Sequence, residues 1–130
     1  MADQPVYLTK QEVLDLHLRV IGHFGGMGGV RDPAALESCL AQPKMAAFGH
    51  ERFPTIHEKA AAYCFFIVRN HPFFDGNKRT GFLAALRFLR INGITSVYDQ
   101  DRMYEAIVAV ATGELDASGV AKVFREAFAD

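Results

Sequence analysis

Along most of the chain, apolar residues return every three or four positions behind a capping residue, while the strict alternation of a half-buried strand is nearly absent. The pattern predicts an all-α domain. Thr9-Lys10-Gln11-Glu12 reads as a capping box, followed by Val13, Leu16, Val20 and Phe24 at helical spacing until Gly25-Gly26. Asp32-Pro33 predicts a second helix, with proline at the first helical position where its missing N–H costs nothing; it should run to Gln42, before Pro43. Thr55-Ile56-His57-Glu58 reads as a second capping box. It opens a helix whose run from Ala60 to Val68 is apolar nearly all round and so belongs at the centre of a domain. After a break over Pro72 to Gly76, a fourth helix is expected from Asn77 to Asn92, with Gly93 as its stop and polar positions only around Arg79, Arg87 and Arg90. Asp99 can cap a fifth helix ending before Gly113, and Asp116 a sixth through Val120, Val123, Phe124 and Phe128. The expected architecture is about six helices around two central apolar ones joined by a short loop.

Two stretches stand outside this pattern. Gly25-Gly26-Met27-Gly28-Gly29 lacks the order of a phosphate-binding glycine loop and has no strand before it, so a flexible connection is expected. Lys44 to Pro54 carries no sustained periodicity and reads as an exposed loop or short irregular hairpin, with Phe48 and Phe53 as its anchors. No repeat, linker or low-complexity segment divides the chain, and 130 residues suit one domain, 1–130.

Composition narrows the partners. Half the residues are apolar (50%) and 22% are charged, which excludes a disordered tail. With 14 basic and 15 acidic residues the net charge is -1, so no overall field draws the chain to nucleic acid or an anionic membrane, although Arg69, Lys78, Arg87 and Arg90 could form a local patch. Any phosphate must be held by a local site. Cys39 and Cys64 are too few and too far apart for a disulfide framework or a CxxC motif, and read as buried, reduced thiols. Met-Ala-Asp-Gln-Pro at the start is neither basic nor apolar, and no run is long enough to span a bilayer, so a cytoplasmic protein is expected.

The chemistry is concentrated in His71-Pro72-Phe73-Phe74-Asp75-Gly76-Asn77-Lys78-Arg79-Thr80, between the two central helices. The start of the second helix leaves the N–H groups near Gly76, Asn77 and Lys78 without helical acceptors, and its dipole favours an anion. A phosphate meets both demands. Arg79 can grip phosphate oxygens in a fork and Lys78 adds a mobile charge, while Gly76 lets a ligand approach the backbone. Asp75 supplies the one hard oxygen that a nucleotide-borne Mg²⁺ needs. His71, as a neutral imidazole, could accept a proton from an attacking hydroxyl, and Phe73 would pin the loop to the core. Taken singly, these residues could be a helix cap and solvated surface. A basic pair in a first helical turn, however, opposes the macrodipole and makes sense once an anion is present.

The string resembles the signature of the Fic/Doc superfamily, His-x-Phe-x-Asp/Glu-Ala/Gly-Asn-Gly/Lys-Arg, at His71, Phe73, Asp75, Gly76, Asn77, Lys78 and Arg79. Tyr7-Leu8-Thr9, Gly28-Gly29-Val30-Arg31-Asp32-Pro33, Arg90-Ile91-Asn92-Gly93 and Ala111-Thr112-Gly113-Glu114-Leu115 extend the resemblance to the death-on-curing (Doc) branch over nearly the whole chain. The resemblance implies an all-α bacterial or phage toxin using ATP and Mg²⁺. In it His71 is the base, Phe73 the anchor, Asp75 the metal ligand, Gly76, Asn77 and Lys78 the anion hole, and Arg79 the phosphate clamp. AMP-transferring members usually have Gly where this chain has Lys78, and often a second Arg where it has Phe82. Both departures favour the Doc branch, which implies a kinase acting on elongation factor Tu, translation arrest, a target-docking flap at Lys44 to Pro54, and restraint by a Phd-type antitoxin. A self-inhibitory Ser/Thr-x-x-x-Glu-Gly/Asn segment is not evident, and the short chain itself suggests an external brake. The alternatives are an AMP-transferase and a non-catalytic protein that acts on the translation machinery by binding.

Overall fold

Side-chain caps set the helix starts. Thr9 accepts the Glu12 N–H and the Glu12 carboxylate accepts the Thr9 N–H in return, which opens α1, Lys10–Phe24. Asp32 accepts the Ala35 N–H at the head of α2, Pro33–Ala41. Thr55 caps α3, Ile56–Asn70, but only half of the expected box forms there: the Glu58 carboxylate takes the Thr55 hydroxyl rather than its backbone N–H. α4 spans Asn77–Ile91, and Asp99 and Asp116 cap α5, Gln100–Thr112, and α6, Ala117–Ala127. The computed structural model describes residues 4–129, so the reading of the chain's start rests partly on residues outside those described.

Six α-helices make up the described residues, with one 3-10 turn, Gln42–Lys44, and a small antiparallel pair, β1 Ala46–Ala47 and β2 His50–Glu51. The all-α expectation is met. α3 lies at the centre against α2, α4, α5 and α6, and α1 packs on α4. Tyr63, Ile67, Val68, Phe88, Leu89, Phe124 and Phe128 are fully buried between them. α3 and α4 approach closely because position 81 lacks a side chain: a Cβ on Gly81 would stand 2.8 Å from Val68 Cγ2 and 3.1 Å from the Cys64 carbonyl. None of the helices among the described residues is long and apolar enough to cross a membrane. Cys39 and Cys64 are free and buried, and desolvation raises them to about 11 and about 12.

One expectation about the 44–54 segment needs correction. Phe48 does not anchor it. Phe48 and Gly49 form a two-residue hairpin turn with φ of 53° and 79°, which projects the Phe48 ring outward, 100% exposed. Phe53 is buried, edge-on to Phe66. The second anchor is Lys59, one position before the apolar run of α3. Its ammonium, only 1% exposed, donates to the Phe53 carbonyl at 2.5 Å, to Glu51 Oε1 at 2.8 Å and to the Pro43 carbonyl at 3.4 Å, holding both ends of the hairpin.

Candidate active site

α3 ends in a left-handed residue, His71, at φ 47° and ψ 57°. The carbonyls exposed at that terminus are met by Arg31, whose Nε donates to His71 O at 2.7 Å and whose Nη2 donates to Asn70 O at 3.1 Å. Pro72 O accepts the N–H groups of Arg31 and Asp32, and Phe74 N–H reaches Gly29 O. Phe73 pairs with Val30 in an isolated bridge and buries its ring completely. The loop between the central helices is therefore sewn to the segment that precedes α2.

The glycine stretch is part of this seam, not the flexible connection expected. Met27 N–H donates to Asp75 Oδ2 at 2.6 Å, and a Cβ on Gly26 would stand 3.0 Å from Asp75 Cβ. The stretch holds Asp75 through its backbone, and glycine is needed because the two loops nearly touch. Asp75 Oδ1 has no hydrogen-bond partner among the described residues, so one carboxylate oxygen is held and the other is open.

Asn77 turns its side chain inward. Its Oδ1 accepts the Phe73 N–H at 3.0 Å, while its Nδ2 donates to Phe73 O at 3.0 Å and to His71 Nδ1 at 3.3 Å. The amide thus ties the loop to α4, and only the Asn77 backbone N–H is left for an anion. While the longer contact lasts, Nδ1 accepts and the ring proton sits on Nε2. Breaking it lets Nδ1 carry the proton and Nε2 accept one, which the exposed position of His71 allows.

Gly76 caps α4 with no side-chain acceptor, at φ 78°. Its missing Cβ makes room for α1 rather than for a ligand, since an added Cβ would meet Val20 Cγ1 at 3.0 Å. α4 has no acidic residue in its first turn; Lys78 and Arg79 stand there instead, both exposed. The Arg79 guanidinium lies 3.9 Å from the centre of the Phe24 ring, and Lys78 makes no hydrogen bond or ion pair among the described residues. Unneutralised positive charge at a bare helix N-terminus is electrostatically costly without an anion.

His71, Asp75, Gly76, Asn77, Lys78 and Arg79 line one open cavity of about 940 Å³; Phe73 lies beneath it in the core. The opposite wall comes from the end of α1 and the start of α5, through Phe24, Tyr98, Gln100, Asp101 and Tyr104. Sequence reasoning missed that wall, because nothing local marks Asp101 or Tyr104 as facing a loop more than twenty positions away. It also missed His17, which stacks on Phe73 and touches Asp75. No group of three or more His, Cys, Asp or Glu side chains among the described residues could hold a metal ion. The half-free carboxylate of Asp75 suits an ion that arrives with phosphate oxygens and water as its other ligands.

The model of the family described as Fic/DOC matches residues 7–89. The chain is 34% identical over 122 residues to the protein kinase Doc of Escherichia phage P1, covering 94% of this chain and 95% of that one. It is 37% identical over 117 residues to toxin Doc of Mycolicibacterium smegmatis, covering 88% of each.

Proposed function

The chain belongs to the Fic/DOC family, and from that premise we propose that it is a Doc-type toxin kinase, transferring the γ-phosphate of ATP to a Thr or Ser hydroxyl of elongation factor Tu and so arresting translation. A Phd-type antitoxin would hold it in check. The observation that carries this reading is the bare N-terminus of α4, which turns Lys78 and Arg79 into the cavity that His71 and Asp75 share. A polyanion is the ligand such a terminus lacks. One relative's name, a protein kinase, supports the phosphoryl group as the part transferred, and the other's supports a toxin.

In this mechanism His71 Nε2 accepts the proton of the target hydroxyl as that oxygen bonds to the γ-phosphorus, and the bond to the β-bridging oxygen breaks to release ADP. His71 then passes its proton to solvent. The N–H groups at the start of α4, Lys78 and Arg79 offset charge on the transferred group, with the Phe24 ring limiting where Arg79 can go. Asp75 would hold Mg²⁺ through its open oxygen, and the ion would neutralise charge on the phosphates. The hairpin around Phe48 would dock the target segment.

ATP labelled on either the α- or the γ-phosphate separates the alternatives. Incubation with elongation factor Tu is expected to place γ-label on the factor, with a loss of roughly 100- to 10,000-fold in His71→Ala. Transfer of α-label would mean AMP transfer. Growth arrest that persists in His71→Ala without label transfer would mean a protein that acts by binding alone.

A further inference from the structure

We propose that His17 is a positioning residue for the site: by donating to the Asp75 carbonyl it locks the Asp75–Gly76 peptide with its N–H turned toward the cavity, and so builds part of the anion hole. The inference rests on the reading of that cavity as a phosphate site.

His17 stands on the buried face of α1, four residues after Val13 and three before Val20, where helical spacing calls for an apolar side chain. It is 2% exposed, and a buried imidazole needs a partner. Its ring lies flat on Phe73, with centroids 3.8 Å apart and planes within 8°. Nε2 stands 2.8 Å from the Asp75 carbonyl oxygen. A carbonyl only accepts, so Nε2 carries the proton and donates.

The consequence follows from peptide planarity. In a trans peptide the N–H points opposite to the C=O, so drawing the Asp75 carbonyl toward α1 turns the Gly76 N–H away from it. Gly76 lines the cavity and heads a helix without a side-chain cap, so this N–H is one of the free donors an anion would meet. The opposite orientation would present a carbonyl oxygen to the phosphate. Glycine at position 76 gives little resistance to that flip, because it accepts positive and negative φ alike. The hydrogen bond from His17 supplies the bias that the glycine does not. It also steadies the backbone of Asp75, whose Oδ2 takes the Met27 N–H.

Three variants separate this role from simple packing. His17→Phe keeps ring volume and the stack on Phe73 but has no donor. His17→Gln places an amide nitrogen close to where Nε2 stood, and His17→Asn places one where Nδ1 stood, too short to reach. Calorimetric titration with ADP is expected to show about tenfold weaker binding for His17→Phe and His17→Asn, with His17→Gln within about threefold of the wild type. In the protein without nucleotide, the Met27 amide is expected to exchange with solvent faster in His17→Phe and His17→Asn but not in His17→Gln. If His17→Phe does not fold, the Gln and Asn pair carries the comparison. Wild-type ADP affinity and Met27 exchange in the Phe or Asn variant would overturn the proposal, as would equal impairment of all three. Failure of the phosphate-site reading looks different: the wild type itself would not bind ADP, while the Met27 comparison would still report on the Asp75 backbone.

Discussion

Asn77 is the residue whose role changes most between sequence and structure. From the sequence it belongs to the expected anion hole, yet its side chain closes a ring with both backbone groups of Phe73. Removing it leaves a buried N–H and a buried C=O unpaired. Asn77→Ala is therefore expected to cost about 1–3 kcal/mol in urea denaturation, and Asn77→Asp, which keeps the acceptor but loses the donor, to recover only part of that. His71, Asp75, Lys78 and Arg79 were legible because short-range chemistry places them: a helix end, a helix start and a basic pair against a dipole. His17 was not, because its partner lies 58 positions away and helical periodicity describes it only as a buried position. Gly76 was legible as a required glycine, but for a different reason, since it makes room for Val20.

At the scale of elements, the helices follow their caps: Thr9, Asp32, Thr55, Asp99 and Asp116 each accept an N–H of the turn they begin. The glycine stretch and the hairpin were harder to read, because both are held by long-range bonds to other elements rather than by any local pattern. Lys59 is the clearest instance. From α3 it holds the Pro43 and Phe53 carbonyls at the two ends of the hairpin and pairs with Glu51 on β2. Lys59→Met is expected to destabilise the fold by about 1–3 kcal/mol, the cost of carbonyls left unpaired, and to speed exchange of the Arg52 amide, which donates to Met45 O. Exchange equal to the wild type would show that the hairpin is held by Phe53 alone. If the hairpin docks the target, the same variant should raise the KM for protein substrate more than that for ATP.

The whole molecule combines a thiol-bearing apolar core with a charged site at one end of its two central helices. Burial raises Cys39 to about 11, Cys64 to about 12 and the Tyr63 hydroxyl to about 12, each above its ordinary value. The folded state then holds protons that the unfolded chain releases, so stability is full below about pH 9 and falls as pH rises toward the folded values. Denaturation midpoints measured from pH 8 to pH 11 should decline for that reason, and less so in a Cys64→Ala variant. Near-neutral charge over the whole chain and positive charge at one helix start would confine any anion binding to that one site. The most direct measurement is intact and peptide mass spectrometry of elongation factor Tu after incubation with this chain, ATP and Mg²⁺. The expected result is the mass of one phosphoryl group on a Thr or Ser, absent when His71→Ala replaces the wild type. The mass of an adenylyl group, or an unmodified factor in the presence of active toxin, would contradict it.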